Sequence, residues 1–513
     1  MSQYACLDEL QTWLDSYLNF ERLPQKNIFW LDTMEFLCKK MGAPQKSAPA
    51  FHVAGSKGKG SVSAMIASIL DAAGCKTGLY SSPHILDFVE RIGTAHGVFS
   101  EDVYQKAAEE LRKTTAAIPE REFPGGRPLT WFELVTLYGF LCFRQAKTDY
   151  NVLEVGLGGR LDATNVIIPA VSCITPIELE HTEFLGDTLE KIAAEKGGII
   201  KEGVPVVIAG QKPEVRTVFE RIAAEKGAKV YFIDEMTEIS ADYADGRRLR
   251  GLDIDRDGEK SLKNNTSSDN FCNSIPPVVM QTTIRSPLFR RPICARLRLL
   301  GEFQAQNAAL AATAVKLVLP DIDEKIIEKG LENAFLPGRF EIIANPMTCS
   351  ADGSASCQKN ASPARTASAT RPFVILDGAH TVNSVKFTLE TFRAVFGDTN
   401  TPCTTSGQHH FILLFACAAD KDAKDIAPLF KDKFDAVFLT KPGNVKQSDL
   451  AALARAFDDA GLPYDLDEDF AAQIKKALAY ASENNAYLLV TGSFYLLAEV
   501  KRILNLRGGT NAT

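Results

Sequence analysis

Gly55, Gly58 and Gly60 stand within six residues, with Lys59 between the last two and Ser61 directly after them. An apolar run, Ala50 to Ala54, precedes the glycines, and beyond them Val62, Met65, Ile66, Ile69 and Leu70 recur at helical spacing. Strand, glycine loop and helix in that order suit an anion such as phosphate. Glycines let backbone N–H groups turn toward the anion, the helix start adds its positive end, and Lys59 supplies a mobile charge. The strict pattern G-x-x-x-x-G-K-[ST] is not met, because Val53 stands where its first glycine belongs and Gly60 follows the lysine. The alternative is a plain glycine-rich turn from strand to helix.

A second chemical stretch is Asn151 to Val155, which reads as a buried strand that carries Glu154. A carboxylate on an apolar strand is costly to bury unless it is paired or bound to metal. The following Gly156-Leu157-Gly158-Gly159-Arg160-Leu161-Asp162 run offers Arg160 as a partner. A third stretch, Glu178-Leu179-Glu180-His181-Thr182, follows the strand candidate Val171 to Ile177, and the next helix holds Glu195 and Lys196.

These stretches need a scaffold that brings strand ends together. Residues 1 to 49 read as helical, with Phe29, Trp30, Leu31, Met34, Phe36 and Leu37 as core faces. Further strands are expected at Thr77–Tyr80, Val206–Ala209 and Lys229–Ile233, with an apolar helix opening at Leu129–Glu133 and running through Phe143. Alternating strands and helices predict an α/β fold with a mostly parallel sheet, whose ligands bind at the carboxyl ends of the strands. A polar insert is expected at about 242–274, with regular structure resuming near Leu297 and an alanine-rich helix over Asn307 to Leu317. After Pro337-Gly338-Arg339-Phe340 and a second polar insert at about 347–371, four strands are expected: Phe373–Leu376, Phe411–Phe415, Ala436–Leu439 and Tyr487–Val490. They predict a second, smaller α/β domain, giving domains 1–336 and 337–513.

Composition narrows the function. The 513 residues are 45% hydrophobic and 24% charged, as in a globular protein, and the net charge of −7 argues against a general nucleic-acid binder. The apolar runs Leu134–Phe143 and Phe411–Ala419 are too short to cross a bilayer, and Met1 to Arg22 lacks the pattern of a signal peptide. Eleven cysteines without a C-x-x-C pair read as reduced core thiols of a cytoplasmic protein.

Taken together, the segments resemble the folylpolyglutamate synthase and dihydrofolate synthase family, the folate branch of the Mur ligases. The resemblance runs through His52 to Ser61, Tyr80-Ser81-Ser82-Pro83-His84, Glu154 to Asn165, His181 to Lys201, Gln304 to Ala309, Pro337 to Glu341, Asp377 to His380, Ala419 to Asp422 and Thr491 to Tyr495. It implies a P-loop-type ATPase domain, a Rossmann-like second domain, and ATP and substrates in the cleft between them. The implied reaction joins L-glutamate to a pteroate or folate carboxylate while ATP becomes ADP and phosphate, in a protein expected to act as a monomer with Mg²⁺.

The same resemblance assigns residues. Gly55, Gly58, Lys59, Gly60 and Ser61 form the phosphate loop, with Lys59 at the β/γ-phosphates. Ser82, Glu154, His181 and Lys196 match metal-ligand positions, Lys196 as a carbamylated lysine. Lys59, His181 and Lys196 are the catalytic candidates. Asn307, Arg339 and Asp377 match contacts on the adenine side, the phosphates and the ribose side of ATP, and His380 lies near them. Each has a plainer alternative: turn chemistry for Ser82, a helix-start hydrogen bond for His181, and a surface pairing of Lys196 with Glu195 or Glu202. For Arg339 the alternative is an ordinary interdomain salt bridge.

Some positions depart from the family pattern, namely Ser56-Lys57, Glu180, Gly197, Phe303, Leu336 and Thr381. Glu180 stands where Asp usually precedes the histidine. The competing readings are a Mur-type ligase of cell-wall synthesis and a non-catalytic nucleotide-binding regulator. A GTPase is disfavoured because Thr440-Lys441-Pro442-Gly443 lacks the Asp that reads guanine.

Overall fold

The computed structural model describes residues 4–19, 30–245, 278–344, 373–397 and 410–506. The chain divides into two compact units, Met1–Asp245 with Val279–Leu336 in the first and, in the second, Pro337–Arg507 together with Gly246–Val278.

In the first unit, seven strands form one sheet: β1 (Ala50–Ala54), β2 (Thr77–Tyr80), β3 (Ile92–Gly93), β4 (Tyr150–Glu154), β5 (Val171–Ile174), β6 (Val206–Ile208) and β7 (Val230–Phe232). Their spatial order is β3-β2-β4-β1-β5-β6-β7, all parallel except the short edge strand β3. All five residues of β1 are buried, as a central parallel strand covered on both faces requires. Register pairs Val53 with Glu154 on one side and with Cys173 on the other. The loops that leave β1, β4 and β5 therefore emerge side by side at one sheet edge, where an open α/β sheet collects its ligands.

The helix that leaves the glycine loop runs Lys59–Ala72 and starts two residues earlier than its apolar spacing suggested. Its other end is held hard. Gly330, on the helix Glu324–Asn333, lies so close that a Cβ there would overlap the Ile69 backbone, and Ser68 donates a 2.6 Å hydrogen bond to the Gly330 carbonyl. The alanine-rich helix Glu302–Val318 also packs on it and is buried from Asn307 to Lys316. The helix Trp131–Ala146 opens on a reciprocal cap, in which Thr130 accepts from the Glu133 N–H while the Glu133 carboxylate accepts from the Thr130 N–H.

Between these elements stands an antiparallel sheet that the sequence reading passed over: β8 (Glu238–Asp245), β9 (Val278–Arg285) and β10 (Ile293–Leu297), in the order β10-β9-β8. In β10, Ile293, Ala295 and Leu297 are buried while Cys294 and Arg296 face solvent, a period of two that marks a half-buried strand. Regular structure is thus already present at Val278, well before Leu297, and Asp242 to Asp245 belong to a strand. The rest of the first expected insert, and the second at about 347–371, lie outside the described residues. Trp30, expected in the core, is 51% exposed, with the Arg127 guanidinium 4.8 Å from its ring.

The second unit holds a six-stranded sheet: β11 (Glu341–Ala344), β12 (Phe373–Leu376), β13 (Phe411–Phe415), β14 (Ala436–Leu439), β15 (Asp465–Leu466) and β16 (Tyr487–Thr491). Their order is β11-β12-β16-β13-β14-β15, parallel apart from β11. The four expected strands are all present, and the antiparallel edge strand β11 and the short β15 are additions.

Among the described residues no helix is long and apolar enough to cross a membrane. Of the described cysteines, Cys38, Cys142, Cys173 and Cys417 are buried, whereas Cys294 is exposed and so is not a core thiol.

Candidate functional site

The loop after β1 is built around its glycines. Gly55 has φ +137°, and a Cβ on it would overlap the Thr175 hydroxyl just beyond β5. Gly58, at φ +91°, is the N-cap of the Lys59–Ala72 helix, and a Cβ there would come within 2.7 Å of Asn307 Oδ1. Both positions demand glycine for conformation and for space. At Gly60 a Cβ would stand 3.6 Å from the Glu154 carboxylate, an ordinary contact distance that places the acid beside the helix start. Ser56 ties the loop to the β5 side: its hydroxyl donates to the Glu178 carbonyl at 3.2 Å and accepts from the Glu178 N–H at 3.0 Å. Ser61 is buried in the first turn of the helix.

Two lysines converge on this loop. Lys59 Nζ folds back and donates to the carbonyls of Gly55 at 3.0 Å and Ser56 at 3.4 Å. Lys196, on the helix Leu189–Gly197, reaches the same Gly55 carbonyl at 2.8 Å and the Glu180 carboxylate at 2.8 Å. Lys196 is buried, so the surface pairing with Glu195 or Glu202 does not hold; Glu195 pairs instead with Arg160. Burial first, and then the Lys59 charge, bring the Lys196 ammonium down to about 8 against the pull of Glu180. At Glu180, burial alone would raise the carboxyl, but the charges of Lys59 and Lys196 outweigh it and hold the group down at about 2. Glu180 is therefore an ionised bridge to the lysine pair, a role the sequence reading missed. The acid cluster at Glu178 and Glu180 was visible, but its reach to another helix is a tertiary fact.

Glu154 ends β4 buried, and its Oε2 accepts the Ser82 N–H at 3.2 Å. Its expected alternative partner, Arg160, is engaged elsewhere, its guanidinium on Glu195 at 2.9 Å. The glycine run that follows Glu154 is folded by Asp162: one carboxylate oxygen accepts from the N–H groups of Gly156 and Leu157, and the other from the N–H and hydroxyl of Thr164. Gly159 lies against the Lys196 carbonyl, where a Cβ would approach to 2.9 Å, and Asn165 donates to the carbonyls of Arg160 and Gly198. The segment bearing Glu154 and the helix bearing Lys196 are thus locked together. His181 follows Glu180, exposed, in the left-handed region at φ +48°; its carbonyl accepts from the Phe184 and Leu185 N–H groups at the start of the short helix Thr182–Leu185, while its side chain caps none of that helix's N–H groups.

Asn307 donates from Nδ2 to Gln304 Oε1 at 2.9 Å and turns its oxygen to the glycine loop. The structure thus gathers Gly55, Gly58, Lys59, Gly60, Ser82, Glu154, Lys196 and Asn307 around one loop. The Glu154 carboxylate and the Ser82 hydroxyl are hard oxygen donors that fit a small divalent cation, and one imidazole is tolerable beside them. Among the described residues no three His, Cys, Asp or Glu side chains converge as a metal cage, so such an ion would complete its shell with phosphate and water oxygens.

The second unit carries the other candidates. Asp377 follows β12, and its carboxylate accepts from the N–H groups of Phe340 and Ala379 and from the Thr388 hydroxyl. Burial raises this carboxyl, opposed by the Arg339 charge and these hydrogen bonds. Arg339 lies 4.5 Å from the ring of Phe494, and the His380 ring meets the same phenylalanine edge-on at 6.0 Å. His380 Nδ1 donates to the Gly378 carbonyl at 2.8 Å. Phe494, which lies within the quoted Thr491 to Tyr495 motif but received no role, is the platform for both. Glu341 accepts from the Gly338 N–H at 2.8 Å and pairs with the buried Lys501 ammonium at 2.7 Å, so the turn bearing Arg339 is clamped on each side.

Comparison with known proteins agrees with this geometry. Residues 53–315 match the Mur ligase middle domain, and residues 365–494 match the glutamate ligase domain of Mur ligases. The dihydrofolate synthase/folylpolyglutamate synthase of Bacillus subtilis is 27% identical over 98% of this chain and 100% of its own length. The Escherichia coli protein of the same name is 31% identical over 65% of this chain and 67% of its own. Among solved structures, a folylpolyglutamate synthase from Thermotoga maritima aligns with TM-score 0.71 at 26% identity, covering 98% of both chains. A Mycobacterium tuberculosis folylpolyglutamate synthase complexed with ADP aligns with TM-score 0.75 at 25% identity, covering 99% of both. With a phosphate loop, a buried acid beside it and a lysine pair on its carbonyls, the chain belongs to the folylpolyglutamate synthase and dihydrofolate synthase family of Mur ligases.

Proposed function

We propose that this chain is an ATP-dependent ligase that joins L-glutamate to folates, and that it serves both dihydropteroate and the glutamate tail of reduced folates. The observation that carries the reading is the convergence of Lys59, Lys196 and Glu154 on one glycine loop. The names of the Bacillus subtilis and Escherichia coli relatives, which join both synthase activities, support the two-substrate form. Residues 1–336 form the ATP-binding domain and 337–513 the glutamate ligase domain of a cytoplasmic monomer.

A carboxylate does not react with an amine at neutral pH, so it must first become an acyl donor. A carboxylate oxygen of the folate attacks the γ-phosphorus, the bond to the β-phosphate oxygen breaks, and ADP leaves an acyl phosphate. The glutamate amine then attacks the acyl carbon, phosphate departs, and the amine proton is lost. The loop N–H groups and Lys59 bind and screen the phosphates. Asn307, Arg339, Asp377 and His380 hold the nucleotide, with Asp377 acting chiefly through the backbone around Arg339.

Ser82, Glu154, His181 and Lys196 would hold Mg²⁺, which supplies charge neutralisation for the nucleotide phosphates. Lys196 is suited to serve as a carbamate. Its buried ammonium loses one proton more readily than an exposed lysine does, and the free amine would then add to CO₂ with release of a second proton.

The test is ADP release by the purified protein with Mg²⁺-ATP and glutamate, adding dihydropteroate or tetrahydrofolate. Turnover with both is expected. Turnover with one assigns a single step, and silence with both in the presence of tight ATP binding favours a cell-wall-type ligase or a regulator.

A further inference from the structure

His52 occupies the middle of β1, the central strand, and is fully buried. Its Nε2 lies 2.8 Å from Thr164 Oγ1, across 112 residues of sequence. The hydrogen-bond network assigns the proton. Thr164 has one hydroxyl hydrogen, which it donates to Asp162 Oδ1 at 2.6 Å, so its oxygen must accept from His52 and Nε2 carries the N–H. Asp162 in turn accepts on both oxygens from four donors, which makes it an ionised acceptor despite its burial. Donation therefore runs from imidazole to hydroxyl to carboxylate, and the backbone N–H groups of Gly156 and Leu157 donate to the same carboxylate from its other side.

This arrangement carries a cost that core packing would not incur. His52 Nδ1 is buried with no hydrogen-bond partner, which disfavours folding relative to an apolar side chain of similar shape. Burial, and next the charge of Lys201, depress the imidazole to about 3, so it stays neutral and keeps a single N–H. Nothing at the centre of a parallel sheet requires an imidazole for packing. What only a ring N–H at that distance supplies is the donor that fixes the Thr164 hydroxyl toward Asp162.

We infer that His52 is a positioning residue for Glu154, acting through Thr164 and Asp162 on the turn that begins two residues after that carboxylate. The inference rests on the reading of Glu154 as a magnesium ligand and adds a residue to its support. The Gly156 and Leu157 N–H groups are fixed from behind by Asp162, while β-ladder pairing with Val53 fixes Glu154 from the side. Without the imidazole donor, the Thr164 hydroxyl is free to turn from Asp162, and the exit of β4 loosens where the acid must meet the cation.

The test uses the full chain with His52→Leu, which removes the donor, His52→Gln, whose amide N–H can replace Nε2–H, and Thr164→Val, which keeps the side-chain shape but removes the relay. Mg²⁺ is titrated into a binding assay for the ATP analogue AMPPCP, alongside magnesium-free binding. Hydrogen exchange of the peptide spanning Glu154 to Asn165 is followed without nucleotide. His52→Leu and Thr164→Val are expected to need about tenfold more Mg²⁺ for half-maximal binding, with magnesium-free binding unchanged and exchange of that peptide faster. His52→Gln is expected to restore both. Wild-type behaviour in His52→Leu or Thr164→Val overturns the inference, as does equal damage in His52→Gln or a parallel loss of magnesium-free binding. A wild-type chain whose nucleotide binding ignores Mg²⁺ overturns the underlying reading of Glu154, which is a distinguishable result.

Discussion

Lys196 and Glu180 form a buried ion pair at 2.8 Å, with side chains 2% and 14% exposed, beside the phosphate loop. Such a pair is costly to break on one side, because the remaining charge is left buried and unmatched. The proposed carbamate would require this lysine to lose its proton first, and the pairing with Glu180 opposes that loss.

Replacing Lys196 by Ala is expected to remove most ligase activity, with nucleotide binding largely retained. Added short carboxylates such as acetate or formate should partly restore turnover by standing in for the carbamate. An unaffected Lys196→Ala enzyme removes the lysine from the mechanism.

The two halves of the pair give stability opposite pH limbs. Glu180 titrates near 2 in the folded chain, below the usual carboxylate value, so its contribution is complete above about pH 4.5 and is lost as pH falls toward 2. That contribution is about 3 kcal/mol. Lys196, depressed to about 8, costs stability at lower pH, and the cost is relieved as pH rises from about 8 to 10.5. Thermal unfolding midpoints against pH should show the acid limb flattened in Glu180→Gln and the alkaline limb flattened in Lys196→Met.

Gly55→Ala should be far worse than Gly60→Ala. At Gly55 the new methyl overlaps the Thr175 hydroxyl and the backbone sits at φ +137°, a combined cost of about 3 kcal/mol or more. At Gly60 the nearest atom is a Leu336 methyl at 3.2 Å, which can give way. Gly60→Ala should fold normally and keep most of its nucleotide binding, since the new methyl would stand at an ordinary 3.6 Å from the Glu154 carboxylate. Melting and AMPPCP binding of the two variants decide the matter.

In the second unit, Lys501→Met alone should lower stability by about 3–5 kcal/mol, since it leaves the Glu341 carboxylate buried beside the Gly338 N–H. Lys501→Met with Glu341→Gln should recover much of that loss in denaturant unfolding. Activity should stay low in both, because the turn that presents Arg339 has lost its clamp.

The legible parts of this chain were those where residue type alone decides. A run such as Ala50–Ala54, apolar but for His52, reads as a covered strand, and glycines around a lysine have few uses. Glu154 stood out because a buried acid needs a reason. What stayed hidden depends on reach across the fold. Glu180 looked like a variant spelling of a family position until its carboxylate was seen on Lys196. The Lys501–Glu341 pair spans 160 residues, and no local pattern connects them. The three-stranded sheet was missed because its strands flank a polar stretch, although Ile293, Ala295 and Leu297 already alternate with Cys294 and Arg296. Trp30 was placed inside for its bulk, but the Arg127 guanidinium covers its ring at the surface.

The grip of Gly330 on the Lys59–Ala72 helix has a mechanical consequence. Its backbone contact with Ile69 and the Ser68 hydrogen bond anchor the end farthest from the phosphate loop. A helix braced in this way resists sliding along its axis. A phosphate bound at the loop would then be met by side-chain rearrangement, with Lys59 exchanging its own carbonyls for the anion while the rod beneath stays in place.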